Sequence, residues 1–193
     1  MSLHQTTPKY DVFLSFRGED TREKFTSHLH KELCRQNIET FIDYRLERGD
    51  EINSSLVEAI KESLIYVVIL SEHYASSGWC LDELTEILKC KKEYKREVIP
   101  VFYEVDPSNV RRQSKSYEKD FLKHQHRPKD KIDAWKAALT QVAGLSGWDS
   151  QVTRFEIVKG CDGGDIEIDA AGGEFEGNDD ILDEDGGDGV DDF

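Results

Sequence analysis

The chain reads as an α/β protein: a flavodoxin-like doubly wound parallel sheet with helices on both faces. Three observations predict it. Strand-like runs alternate with helical periods from Tyr10 to Val142. One run, Ile65-Tyr-Val-Val-Ile-Leu70, is apolar throughout, as a strand covered on both faces must be. Strands alternating with helices close into a parallel sheet through right-handed crossovers.

Tyr10-Asp-Val-Phe-Leu-Ser-Phe16 reads as the first strand. Asp20 then reads as an N-cap, with Glu23 completing a capping box three residues on. The helix that follows carries Phe25, Leu29 and Leu33 on one face, and Asn37 is a plausible stop. Ile38 to Ile42 gives a second strand. A charged loop, Asp43 to Glu51, leads into a helix with Ile52, Leu56, Ile60 and Leu64 on one side. Ile65 to Leu70 is the third strand. A helix from Trp79 buries Leu81, Leu84 and Leu88. Val98 to Val105 is the fourth strand, although Pro100 lacks the N–H a central strand needs. Asp106-Pro107-Ser108 opens a turn or helix, and a last helix from about Lys131 to Val142 turns Trp135, Leu139 and Val142 inward. A fifth strand is expected between Lys115 and Asp130.

The net charge of −15 is not spread evenly. Residues 155–193 hold 15 acids and one lysine, whereas residues 1–154 hold 24 bases and 25 acids. The acidity belongs to a tail, and the globular part is nearly neutral, without the basic face a nucleic-acid binder needs. The tail also holds 9 of the 14 glycines. High charge with few large apolar residues does not offset ordering entropy, so it is expected to be disordered. The expected organisation is an N-terminal extension over 1–8, one domain over 9–150, and an acidic Gly-rich tail over 151–193. Cys34, Cys80, Cys90 and Cys161 show no C-x-x-C spacing and no His cluster joins them, so free thiols in a reducing cytoplasm are expected, and no metal. The longest apolar run, Ile65 to Leu70, is far too short to span a bilayer.

In such sheets ligands bind beyond the carboxyl ends of the strands, where strand order reverses. With order 2-1-3-4 that point lies between strands one and three. The loop after strand one is Arg17-Gly-Glu-Asp-Thr-Arg22, and the loop after strand three ends at Trp79 with Glu83 one turn on. Arg17 and Arg22 suit a diphosphate, Gly18 a close backbone approach, and Trp79 a stacked base. The same residues also suit an ordinary helix start and solvated surface charge. Glu83 is the lone central acid. One carboxylate suffices to cleave the nicotinamide–ribose bond of NAD, because the cationic base leaves as a neutral molecule and only the oxocarbenium-like ribose needs stabilising. Asp82 points about 100° away and is a poor second carboxyl. A phosphoacceptor receiver domain would need an Asp at the end of strand three, where Leu70-Ser71-Glu72 stands.

With these residues in view, the chain resembles a plant Toll/interleukin-1 receptor (TIR) domain over about residues 8 to 150. The likeness rests on Tyr10 to Arg22, on Asp43 to Ile52, and on Ser77-Gly-Trp-Cys-Leu-Asp-Glu-Leu84. Val101 to Ser108 and Ser146-Gly-Trp148 also fit. Pro100 fits the family as well. The resemblance implies an NAD+ nucleosidase (NAD+ glycohydrolase) of plant innate immune signalling, with Glu83 as its catalytic glutamate. NAD or NADP would be the substrate. The products would be nicotinamide and ADP-ribose or cyclic ADP-ribose-type signals that lead to localised cell death. It implies nucleotide contacts from Phe16, Arg17, Gly18, Glu19, Asp20, Thr21 and Arg22, from Gly49 in the second loop, and from Trp79. It implies activity as an oligomer, with Ser27 and His28 on the self-association face and other TIR domains as partners. A cytoplasmic location is expected, with the nucleus second, and neither membrane nor nucleic acid as partner. The alternative is a non-catalytic adaptor acting by TIR–TIR association. The chain has no G-x-x-x-x-G-K-[ST] motif and no leucine repeat, so a TIR-only or truncated form of a receptor is expected.

Overall fold

The computed structural model of the chain describes residues 8–43 and 54–150, and the backbone of 154–159 and 166–171. Five parallel strands stand in the order β2-β1-β3-β4-β5. They are β1 (Tyr10–Phe16), β2 (Thr40–Ile42), β3 (Ser63–Leu70), β4 (Glu97–Phe102) and β5 (Trp148–Asp149). The seven α-helices among the described residues are α1 (Gly18–Thr21), α2 (Ser27–Arg35), α3 (Ser54–Lys61), α4 (Gly78–Tyr94), α5 (Pro107–Arg112), α6 (Ser116–Leu122) and α7 (Lys129–Val142). The doubly wound sheet expected from the sequence is the one observed.

The core divides by the pleat of the sheet. Val12, Leu14, Phe16, Val67 and Ile69 face one way and meet Leu29 and Leu33 of α2. Phe13, Tyr66, Val68 and Leu70 face the other way and meet Leu56 and Ile60 of α3, Leu81 and Leu84 of α4, and Trp135 and Leu139 of α7. Ser15 shares the pleat of Phe13. The alternation that buries Phe13 therefore also sends the Ser15 hydroxyl toward α4.

Four expectations need correction. The fifth strand is Trp148–Asp149, not a segment of 115–130, where α6 lies instead. Two residues are too few to show a period, so pattern reading passed over them. Pro100 sits in β4 opposite Val68, but β5 pairs only with Val101 and Phe102. A Cβ on Gly147 would lie 2.5 Å from the Pro100 carbonyl oxygen, so that peptide edge faces Gly147, where no ladder bond is lost. Leu64 does not close the face of α3; it lies in β3 and is 41% exposed.

The capping box at Asp20 and Glu23 does not form. Helix α1 starts at Gly18 behind Arg17, and an irregular turn, Arg22–Thr26, kinks at Lys24 before α2. Asp20 lies inside α1, its carboxylate taken by partners on the β3 loop. Asn37 does end its helix region in the left-handed conformation, at φ 56°. Ile52 falls outside the described residues. Within the segment expected to be disordered, the backbone of β6 (Arg154–Lys159) pairs antiparallel with β7 (Ile166–Ala171). The alternation Phe155, Ile157 and Ile166, Ile168 is the sequence pattern such a pair uses.

Candidate active site

The loops after β1 and β3 meet at the strand switch point, as the topology requires. Asp20, in the first loop, accepts from the Ser71 hydroxyl at 2.5 Å and from the His73 N–H at 3.3 Å. The β3 loop is tied down further from behind. The Tyr117 hydroxyl donates to Ser71 O at 2.9 Å, and His124 Nε2 lies 2.9 Å from Ala75 O. Asp120, 2% exposed, meets His73 Nδ1 at 3.3 Å and Lys123 Nζ at 2.6 Å. These ties fix where α4 begins.

Ser77 caps α4, its hydroxyl oxygen accepting from the Cys80 N–H at 3.1 Å. The first turns of α4 then present Trp79 and Glu83 on one side, as the i, i+4 spacing predicts. The Trp79 indole N–H donates to Glu83 Oε1 at 3.0 Å. Ser15 donates to Glu83 Oε2 at 2.9 Å, and Tyr74 Oη lies 3.0 Å from Ser15 Oγ and 3.0 Å from Cys80 O. Glu83 is only 5% exposed. Asp82 points elsewhere, accepting from Trp135 Nε1 at 2.8 Å and pairing with Lys131 at 3.0 Å. The geometry thus separates one central carboxyl from its structural neighbour.

The structure joins β1 to α4 through Phe16, whose carbonyl lies 3.5 Å from Cys80 Sγ. Trp79 is half-buried against the core, and its polar edge is spent on Glu83. Arg17 is held by Glu19 and Asp20, so a phosphate would have to draw it away from them. Burial alone would lower the Arg17 guanidinium, but the Asp20 and Glu19 charges raise it further. Arg22 folds over Gly18; a Cβ there would meet Arg22 Cζ at 2.9 Å. The absent side chain therefore makes room for an arginine rather than for an approaching ligand. Arg22 Nε is buried without a hydrogen-bond partner. Thr21 is buried and bonds Thr26 Oγ1 at 2.8 Å, facing inward. Ser27 donates to Lys24 O on the kinked turn, and His28 is exposed on α2. Gly49 lies outside the described residues.

Sequence reasoning missed Ser15 and Tyr74. The signal was present: a serine inside an apolar run destined for burial needs a partner. Among the described residues no cluster of His, Cys, Asp or Glu could hold a metal ion. Nor is any helix among them long and apolar enough to cross a membrane.

Comparison with known proteins agrees with this geometry. Residues 9–158 match the family model described as TIR domain. The chain is 51% identical over 155 residues to the disease resistance protein RPV1 of Vitis rotundifolia, covering 80% of this chain and 11% of that protein. It is 51% identical over 142 residues to the TMV resistance protein N of Nicotiana glutinosa, covering 72% of this chain and 12% of that protein. The chain thus spans 11 to 12% of the length of these curated relatives. Its fold is similar to the TIR domains of the activated Roq1 resistosome, which directly recognizes the pathogen effector XopQ. The TM-score is 0.69 at 49% identity, covering 73% of this chain and 87% of that one.

Proposed function

This chain belongs to the TIR domain family, and from that premise we propose that it is an NAD+ glycohydrolase of plant immune signalling, with Glu83 as the catalytic carboxylate. One observation carries the reading: Glu83 is the one buried carboxyl of α4, at the strand switch point, with both oxygens already engaged as acceptors by Ser15 and Trp79.

The chemistry follows from that isolation. Cleavage breaks the bond between the ribose C1′ and the nicotinamide nitrogen. The bonding electrons leave with the base, which becomes neutral, so no general acid is required. Positive charge develops on the ribose. A carboxylate held in a poorly solvated site stabilises that charge more strongly than one in water. Water then attacks C1′, losing a proton, to give ADP-ribose; an internal nucleophile of the same nucleotide would give a cyclic product. The arginines of the β1 loop are the candidates for the diphosphate, once Arg17 exchanges its intramolecular partners for phosphate oxygens. We assign Phe16, Gly18, Glu19, Asp20, Thr21 and Gly49 to the surroundings of the nucleotide rather than to bond breaking. NAD or NADP is the substrate.

The similarity to TIR domains in a resistosome supports activity in an assembly, with Ser27 and His28 as the self-association pair. The pairing of Arg17 with Glu19 and Asp20 is the one observation that favours the adaptor reading, since it leaves that arginine engaged. Nicotinamide release by the purified chain separates the two. Turnover that disappears in Glu83→Ala supports the hydrolase. Equal turnover by that variant sinks it, and no turnover at any concentration favours the adaptor.

A further inference from the structure

We propose that Ser15 and Tyr74 are positioning residues for Glu83, forming a two-hydroxyl relay that holds its carboxyl in one place in either protonation state. The proposal rests on the reading of Glu83 as the catalytic group.

Ser15 is fully buried in β1, among Val12, Phe13, Leu14 and Phe16. A buried hydroxyl is costly unless bonded, and an alanine would fit the same space. Its bonds are therefore its reason to be there. Three contacts run in series: Glu83 Oε2 to Ser15 Oγ at 2.9 Å, Ser15 Oγ to Tyr74 Oη at 3.0 Å, and Tyr74 Oη to Cys80 O at 3.0 Å.

Proton counting shows what the series does. Ser15 and Tyr74 each own one donor proton. When Glu83 is ionised it only accepts, so Ser15 must donate to it. Tyr74 then donates to Ser15, and Cys80 O is left to its own helix. When Glu83 is protonated the order reverses: Glu83 donates to Ser15, Ser15 to Tyr74, and Tyr74 to Cys80 O. In both states the Glu83–Ser15 and Ser15–Tyr74 contacts each carry a proton, so the carboxyl keeps its hold; only the outer Tyr74–Cys80 O contact gives up its proton when Glu83 is ionised. Tyr74 is fit for this task because burial, foremost, pushes its phenol well above the ordinary range, so it keeps its proton.

The other titratable groups around the relay are Cys80 in the first turn of α4 and Tyr117 of α6. Asp20 of α1 and Asp120 of α6 lie beyond Tyr117. Ser15 supplies a donor from β1 that favours the charged carboxylate over the acid.

The test uses the whole chain with ¹³C-labelled glutamate. The Glu83 carboxyl carbon, assigned with Glu83→Gln, is titrated in wild type, Ser15→Ala, Ser15→Thr and Tyr74→Phe. kcat and KM for NAD are measured across the same pH range. Losing one hydrogen bond to a charged group moves a titration midpoint by about one to two units. Ser15→Ala is expected to raise the Glu83 midpoint by that amount and to move the acid limb of kcat with it, leaving KM within about threefold. Ser15→Thr, which restores the hydroxyl, is expected to stay near wild type. Tyr74→Phe, which deletes the contact to Ser15 but none to Glu83 itself, is expected to shift the midpoint by less.

An unchanged midpoint in Ser15→Ala, or equal shifts in the Ala and Thr variants, overturns the relay. If Ser15→Ala does not fold, Tyr74→Phe decides: a shift supports the relay and no shift overturns it. The carbon titration needs no turnover. A chain that shifts as described yet leaves NAD intact contradicts the hydrolase reading and keeps the relay.

Discussion

Trp79 and Glu83 lie one turn apart on α4, and the indole N–H of the first donates to Oε1 of the second at 3.0 Å. The ring therefore does two things at once. Its apolar body packs on the core, and its polar edge aims the carboxyl. A residue that the sequence offers as a stacking platform is also the clamp on the Glu83 carboxyl.

Removing that clamp alone tests it. Trp79→Phe keeps an aromatic ring and deletes the N–H. A hydrogen bond to a charged group contributes about 1.5–3 kcal/mol. kcat/KM for NAD is expected to fall about 10- to 100-fold, mostly in kcat, with little change in thermal midpoint. A loss confined to KM would mean that the ring acts only in binding.

Asp20 and Glu23 divide the two readings of the first loop. Because Asp20 ties the β1 loop to Ser71 and His73, Asp20→Ala is expected to cost about 1–3 kcal/mol of stability by urea unfolding. No capping box forms, so Glu23→Ala is expected to leave the midpoint where it is. Equal losses in both variants would restore the capping-box reading.

Ser77→Ala removes the cap of the helix that carries the site. Caps are worth about 1 kcal/mol, and that lowers Tm by about 2–4 °C in a chain of this size. NAD turnover is expected to fall further than this small instability explains, since Trp79 and Glu83 occupy the turns that the cap sets. Thermal scans and initial rates on one preparation check both halves.

His124 makes stability depend on pH. Burial, the largest influence, lowers its pKa below the ordinary 6.5, against the pull of the Ala75 carbonyl and Asp120. The folded state therefore favours the neutral ring, and the unfolded chain takes up a proton first. Its contribution is complete above about pH 6.5 and is lost as pH falls through the lower folded value. Urea midpoints at pH 7.5 and 5.5 are expected to differ more in wild type than in His124→Gln. Identical differences would remove His124 from the account.

The fold was legible because its elements are long and periodic. β1, β3 and α4 each carry an apolar pattern that admits one burial. β5 was not legible, since two residues have no period and its place is set by Gly147 fitting under Pro100. The site was half legible. Spacing put Trp79 and Glu83 together, and topology brought the β1 and β3 loops together. Ser15 and Tyr74 stayed hidden because Ser15 reaches Glu83 from 68 positions away, through the pleat of β1, and Tyr74 joins only through Ser15, so no local spacing shows either. The roles of Arg17, Gly18 and Asp20 shifted for a similar reason: each found an intramolecular partner that composition alone does not reveal.

Nicotinamide release from NAD, measured for wild type and Glu83→Gln across a protein concentration series, tests the central claim most directly. The account predicts wild-type turnover that rises faster than linearly with concentration and is abolished in the variant. Undiminished turnover by Glu83→Gln would contradict it.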